Sequence, residues 1–322
     1  MNTLEHDRTS YEDASLKSLC SDYDNLCKQR LAYPKTIIRL NKNSFSDESL
    51  NDQNIVKFAP NESTVTSSTA LDETFEPCID TEYDPTSKLK YLRLKFPKNI
   101  VLGYLNINSI RNKFSLLSDI VHGNIDYLTI AETKLDNSFP SNQFMIPGLG
   151  KPYRQDVSGS SGGLLVYVSN DIPSRYLKSF ILPDDIQAIP IELNLRKSKW
   201  LIISIYKPPL QRVDYFLACI SNMIDFYTTT YDKCILIGDF NLEPSDIRLQ
   251  NFIDDQDLFN SMKAKTCFKS KKGTCIDLIL SNQLRQLQHT LAIETGLSDF
   301  HLLAYTMLKT TFTKLPPKKI KY

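Results

Sequence analysis

The sequence predicts an α/β domain built on mixed β-sheets, and three features lead there. Downstream of Pro97 the chain breaks into short apolar runs separated by polar turns. Segments of helical period fall between those runs, as crossovers between parallel strands require. Two runs, 188–195 and 200–206, are separated only by the Arg196–Lys199 stretch RKSK, which suits an antiparallel hairpin and so excludes a purely parallel sheet.

The elements follow in chain order. Strands are expected at 99–107 (NIVLGYLNI), 126–132 (DYLTIAE), 163–169 (GLLVYVS), 188–195 (AIPIELNL) and 200–206 (WLIISIY). Further strands are expected at 234–239, 276–280, 290–294 and 302–307. Between the first two, Ile110, Phe114, Leu117 and Ile120 recur on one helical face; between 200–206 and 234–239, Phe216, Ile220 and Ile224 do the same. Residues 1–95 have another texture, rich in Ser, Thr, Asn and Asp and without glycine, and read as largely disordered. A partial stripe of Leu16, Leu19, Leu26 and Leu31 permits one short helix there. The expected organisation is a disordered segment over 1–95, a folded domain over 96–310 and a basic tail or linker over 311–322.

Composition narrows the function classes. The 322 residues are 41% hydrophobic and 23% charged, as in a soluble globular protein. No apolar run nears the roughly 20 residues of a membrane span and no secretory leader opens the chain, so a nuclear or cytoplasmic location is expected. Seven cysteines with no CxxC pair read as reduced structural thiols, and the four histidines are not spaced with them as in a zinc site. The net charge of +1 hides an asymmetry: residues 1–90 carry 10 Lys+Arg against 16 Asp+Glu, leaving 28 against 21 for the rest. The basic part suits a polyanionic partner, although a charge of this size also serves solubility alone.

Several expected strands end in a polar residue. Asn106 closes the first and Glu132 the second; Tyr206 ends WLIISIY; Asp239 and Asn241 end CILIGDFN; Asp277 lies in CIDLIL, and Asp299 and His301 in LSDFH. Each has a plain structural reading as well: Asn106 as a helix cap, Asp239 and Asn241 as a turn, Tyr206 as a packed aromatic, Glu132 as a rim carboxylate. Together they form a set suited to a phosphate ester. Hydrolysis of a phosphodiester needs an activated water, a protonated leaving oxygen and neutralised phosphoryl charge. Mg²⁺ takes hard oxygen ligands, often one or two protein carboxylates, with Mn²⁺ as a substitute, so a Glu beside an Asn suffices to hold it. A neutral Asn or Tyr donates to phosphate, and an Asp fixes one tautomer of a His.

The ordered series LNINSIRNK, AETKL, RQDVSGSSGGLLVYV, YKPP, IGDFNLEP, CIDLIL and LSDFH, spanning about 97–310, resembles the endonuclease/exonuclease/phosphatase superfamily. Within it the likeness is to the apurinic-like endonuclease domain of non-LTR retrotransposons. The resemblance implies a four-layer α/β sandwich, two facing mixed sheets with helices outside, and a site at one rim. It implies Glu132 as principal metal ligand with Asn106 beside it, Asp239 acting on the water or leaving oxygen, and Asn241 and Tyr206 on the phosphate. Asp277 supports the metal side or the histidine, and Asp299 pairs with His301. It also implies Arg154 in contact with the site or DNA, Gly162 and Gly163 at a glycine-rich strand entry or tight turn, and Thr266 near the DNA strand. The implied activity is Mg²⁺-dependent nicking of duplex DNA, with a reverse-transcriptase domain as partner in a longer form. A related metal-dependent phosphatase, which uses much the same residues on another leaving group, is one alternative; an inactive DNA-binding module is the other, because Phe300 interrupts the family's usual Ser-Asp-His ending.

Overall fold

In a computed structural model the described residues are 86–157, 160–195 and 198–312. The disordered stretch and short helix expected upstream, and most of the basic tail, lie outside them.

Two six-stranded mixed sheets form the domain. One has β1 (Asn99–Asn106), β2 (Tyr127–Ala131), β3 (Tyr153–Gln155), β4 (Leu164–Val168), β11 (Leu287–Ile293) and β12 (Leu303–Thr311), in the order β11-β12-β1-β2-β4-β3. The other has β5 (Ser174–Tyr176), β6 (Gln187–Leu195), β7 (Ser198–Tyr206), β8 (Lys233–Asp239), β9 (Phe259–Asn260) and β10 (Asp277–Ser281), in the order β5-β6-β7-β8-β10-β9. Each sheet centres on one parallel pair, β1 with β2 and β7 with β8. The crossovers carry α2 (Phe114–Val121) and α3 (Val213–Thr228), respectively. All other ladders are antiparallel, including the β6–β7 hairpin, whose register runs from Gln187 with Tyr206 to Leu195 with Ser198.

The period-2 alternation of strands decides the layers. Ile100, Leu102 and Tyr104 of β1 meet Ile189, Ile191, Trp200, Ile202, Ile235 and Ile237 of the other sheet in one inner core. Val101 and Leu105 point the other way, into an outer core with Leu117, Ile120 and Val121 of α2. Strands buried on both faces read as unbroken apolar runs, and for that reason they stand out in the sequence. On the far side of the second sheet, Leu201, Ile203 and Ile205 are equally buried, and α3 buries Phe216, Cys219, Ile220, Met223 and Tyr227 along one stripe.

Ser87–Lys95 forms a helix, α1, with Leu89 and Leu92 in the outer core, so ordered structure begins inside the segment read as disordered. Arg93 anchors it by an ion pair to Asp126 at 2.5 Å. The edge strands β3, β5 and β9 and the helix α4 (Ile247–Asp255) add to the expected elements. No helix among the described residues is long and apolar enough to cross a membrane.

Candidate hydrolytic site

The parallel pairs deliver their C-terminal ends to one rim. Asn106 is the last residue of β1, Glu132 follows β2, Tyr206 ends β7 and Asp239 ends β8; Asp277 opens β10, which runs antiparallel to β8 with Asp277 opposite Asp239. Glu132 has φ +50°, a left-handed conformation uncommon for a side chain of this kind. Backbone bonds from Ile107 to Ala131, Ser109 to Glu132 and Ile110 to Thr133 hold it there, zipping the β1 exit to the β2 exit.

Two carboxylates are joined through one amide. Asn106 Nδ2 donates to Glu132 Oε1 at 2.8 Å and to Asp239 Oδ2 at 3.1 Å. Tyr206 Oη donates to the same Glu132 oxygen at 2.9 Å. Burial, then the Glu132 carboxylate, push the Tyr206 phenol far up, so it stays a donor. Asp239 Oδ1 accepts the backbone N–H of Asn241 at 2.7 Å, and the Asn241 amide donates to the Lys207 carbonyl at 2.8 Å. Asn241 reaches this pose at φ +46°, which asparagine tolerates better than most residues. Phe240 between them is fully buried.

A second group abuts the first. His301 Nδ1 lies 3.0 Å from Asp277 Oδ2 and 3.3 Å from its Oδ1, so this nitrogen carries the proton and Asp277 accepts it. Asp239, Asp277 and His301 are all buried, and one potential ligand atom from each lies within 4.8 Å of the others. Burial and the neighbouring Asp277 charge raise the Asp239 carboxyl to about 7, against the opposing effects of His301, the Asn241 amide and Asn106. For His301, burial acts to lower the imidazole, but the hydrogen bond and charge of Asp277, with the charge of Asp239, outweigh it and the net shift is upward.

The donor set fits a hard divalent cation. Glu132 and Asp239 supply carboxylate oxygens on either side of Asn106, and Glu132 Oε2 accepts no hydrogen bond among the described residues.

Thus Asn106, Glu132, Tyr206, Asp239, Asn241, Asp277 and His301 come together. Three other candidates do not. Asp299 is exposed and accepts from Asn108 at 3.3 Å; the carboxylate on His301 is Asp277, because Phe300 turns Asp299 outward from the buried imidazole. Thr266 is wholly buried, its hydroxyl accepting the N–H groups of Ile276 (3.3 Å) and Asp277 (3.0 Å), so it braces the backbone under the dyad. All five N–H donors of Arg154 are engaged: two on Asp156, one each on Asp136 O, Phe139 O and Ser141 Oγ. It ties down the 136–141 loop. Gly162 and Gly163, at φ +64° and +93°, turn the chain beside Gln187 and Thr133 just before β4.

Two neighbours have no counterpart in the sequence reading. Lys207 is fully buried and its Nζ donates to the Pro208 carbonyl; burial lowers its ammonium group, and a lysine directly after a buried strand is the only sequence signal for it. Cys267 Sγ lies 3.5 Å from His301 Nε2, across 34 residues of sequence that conceal the contact.

The chain matches the family profile described as Endonuclease/Exonuclease/phosphatase family over residues 103–299, so the match stops two residues short of His301. No curated protein matches it in sequence. Among solved structures it is similar to the endonuclease domain of TRAS1, a telomere-specific non-LTR retrotransposon (13% identity, TM-score 0.54, covering 66% of this chain and 99% of that one). It is also similar to the 3′ phosphatase NExo from Neisseria bound to a product DNA hairpin (18%, 0.53, 66% and 100%). A third is an AP endonuclease from Archaeoglobus fulgidus (18%, 0.51, 66% and 100%). At such identities the shared property is the fold.

Proposed function

Because this chain belongs to the endonuclease/exonuclease/phosphatase family, we propose that it is a divalent-cation-dependent phosphodiesterase that nicks duplex DNA, in the manner of target-site cleavage by non-LTR retrotransposons. The observation that carries the reading is the junction of two groups on one rim, the Glu132–Asn106–Asp239 bridge and the Asp277–His301 dyad. Glu132 and Asn106 would hold Mg²⁺ or Mn²⁺, which when bound neutralises charge on the phosphoryl oxygens.

The protein's own groups divide the remaining work. Asp239, whose carboxyl is raised by burial and by the Asp277 charge, moves the proton, taking one from the attacking water or giving one to the departing 3′ oxygen. Asp277 keeps the His301 proton on Nδ1 and supports the imidazolium when Nε2 gains a proton, so that His301 faces the phosphate with a positive donor. Tyr206 holds Glu132 in place, and the second N–H of the Asn241 amide is left to hold the phosphate.

One feature favours DNA over a small ester: Lys263, Lys265, Lys269, Lys271 and Lys272 are exposed on the segment that carries Thr266 and Cys267, a basic rim suited to a phosphate backbone.

The test is conversion of supercoiled plasmid to open circle with Mg²⁺. Wild type should nick, EDTA should stop it, and Glu132→Ala and His301→Ala should each lose it. DNA binding without nicking would make the chain a binding module, and activity confined to small phosphate esters would make it a phosphatase.

A further inference from the structure

One exposed phenylalanine on a protein surface is ordinary, but two brought together beside a polar cleft call for a physical account. Phe268 and Phe300 are each 44% exposed, and each directly adjoins a member of the buried pair Cys267 and His301. The two segments run antiparallel: Cys267 bridges His301, Phe268 N–H donates to Phe300 O at 2.7 Å, and Leu302 N–H donates to Thr266 O at 2.8 Å. Neighbours along extended chain face opposite ways, so this pairing turns Cys267 and His301 inward and Phe268 and Phe300 toward solvent. Consecutive Cα atoms lie about 3.8 Å apart, so the Phe300 ring starts one residue from the imidazole. The Phe268 ring is propped from behind. Gly273 N–H donates to Ser270 O at 3.0 Å to close the turn, and a Cβ on Gly273 would stand 2.8 Å from Phe268 Cε1.

The charges around the rings select what covers them. Lys269, Lys271 and Lys272 are exposed on the same turn as Phe268. An apolar protein surface laid over the rings would have to desolvate those ammonium groups as well. A nucleic-acid strand brings phosphates for the lysines and aromatic bases for the rings. A base inside continuous duplex is stacked on both faces, so only one that is unpaired or turned out has a face to offer.

We propose that Phe268 and Phe300 form a stacking platform for one unpaired base beside the phosphate at His301, so that the preferred substrate is DNA mismatched, bulged or frayed next to the cut. This deepens the hydrolase reading given above, on which it rests for the place of the phosphate. Phe300, which separates Asp299 from His301, thereby becomes a residue that discriminates between substrates.

The full chain, kept in EDTA so that nothing is cut, is titrated into two fluorescently labelled duplexes of one sequence, one fully paired and one with a single central mismatch. Wild type should bind the mismatched duplex at least about fivefold more tightly. Phe268→Ala, Phe300→Ala and Phe300→Leu should each lose about fivefold or more of that affinity and change paired-duplex affinity by less than about twofold. Phe300→Leu keeps the apolar bulk without a π-face, and Phe300→Trp should restore the preference, which separates stacking from misfolding. Added salt should weaken both duplexes alike, because the lysines meet either backbone. Equal wild-type affinity for the two duplexes, or a preference that survives removal of both rings, overturns the platform. So does a preference left intact while the ring variants pass from dimer to monomer in sedimentation, which would assign the rings to contact between copies. Plasmid nicking decides the other reading separately. A ring-dependent preference in a chain that never nicks keeps the platform and ends the hydrolase reading; nicking without the preference does the reverse.

Discussion

Alanine at Gly238 probes a close approach of two neighbouring strands. Gly238 lies inside β8 opposite Ile205 of β7, and a Cβ there would stand 2.0 Å from the Ile205 carbonyl oxygen and 2.7 Å from Ile205 Cγ1. The oxygen belongs to backbone in a parallel ladder, so no rotamer change relieves the contact and the strands must part by about 1 Å. Overpacking of this kind costs about 1–3 kcal/mol, and weakening one ladder bond adds about 1 kcal/mol. With a urea dependence of about 3 kcal/mol/M, a loss of about 3 kcal/mol lowers the urea midpoint by about 1 M. Tyr206 and Asp239 directly follow the two residues in collision, so nicking should fall about 100-fold from misplacement alone. Gly123→Ala is the control: at φ +73° with nothing within 4 Å, it carries conformational strain of about 1–2 kcal/mol without a collision, and nicking should hold. Urea unfolding followed by circular dichroism, paired with plasmid nicking, reads both. A Gly238→Ala midpoint equal to wild type, or a shift no larger than that of Gly123→Ala, refutes the steric argument.

Two further outcomes follow from single contacts. Thr266→Val removes the acceptor for two buried N–H groups, at about 1–3 kcal/mol each, and should lower the urea midpoint and nicking together; a variant as stable as wild type would show that water replaces the hydroxyl. Asp246 caps α4, accepting from the Arg248 amide and guanidinium, and the Arg248 side chain first and its amide next hold the carboxyl at about 2, below the usual 3.8. A carboxyl lowered on folding stabilises above its unfolded value and loses that contribution as pH falls through the folded one. Wild type should therefore exceed Asp246→Asn by at most about 1 kcal/mol at neutral pH, since Arg248 is half exposed, and the gap should close between about pH 4 and pH 2. A gap unchanged at pH 2 would refute the charge argument.

The legible part of the fold was its buried centre. β1, β2, β4, β7 and β8 are buried on both faces over most of their length, so each appears as a mainly apolar run whatever its neighbours. The strands missing from the sequence reading, β3, β5 and β9, are all sheet edges of two or three residues with half-covered side chains. The helix α1 was missed because only Leu89 and Leu92 of SKLKYLRLK are buried, too short a stripe to stand out from a polar segment. In the candidate site, residues at strand ends could be picked out because a polar side chain after a dry strand has few structural uses. Partnerships could not. The resemblance implies Asp299 as the partner of His301 and leaves Asp277 to the metal side or the histidine; in the structure Asp277, 24 residues away in sequence, holds the imidazole. Arg154 and Thr266 have the chemistry of phosphate ligands, and only their hydrogen bonds reveal that this capacity is already spent.

Each sheet contributes half of the Glu132–Tyr206 and Asn106–Asp239 contacts, because one parallel pair ends in Asn106 and Glu132 and the other in Tyr206 and Asp239. The candidate site is therefore a seam, owned by neither half alone. Its geometry gauges how the two halves are seated on each other, and a slip of one against the other would silence it while every strand kept its own hydrogen bonds.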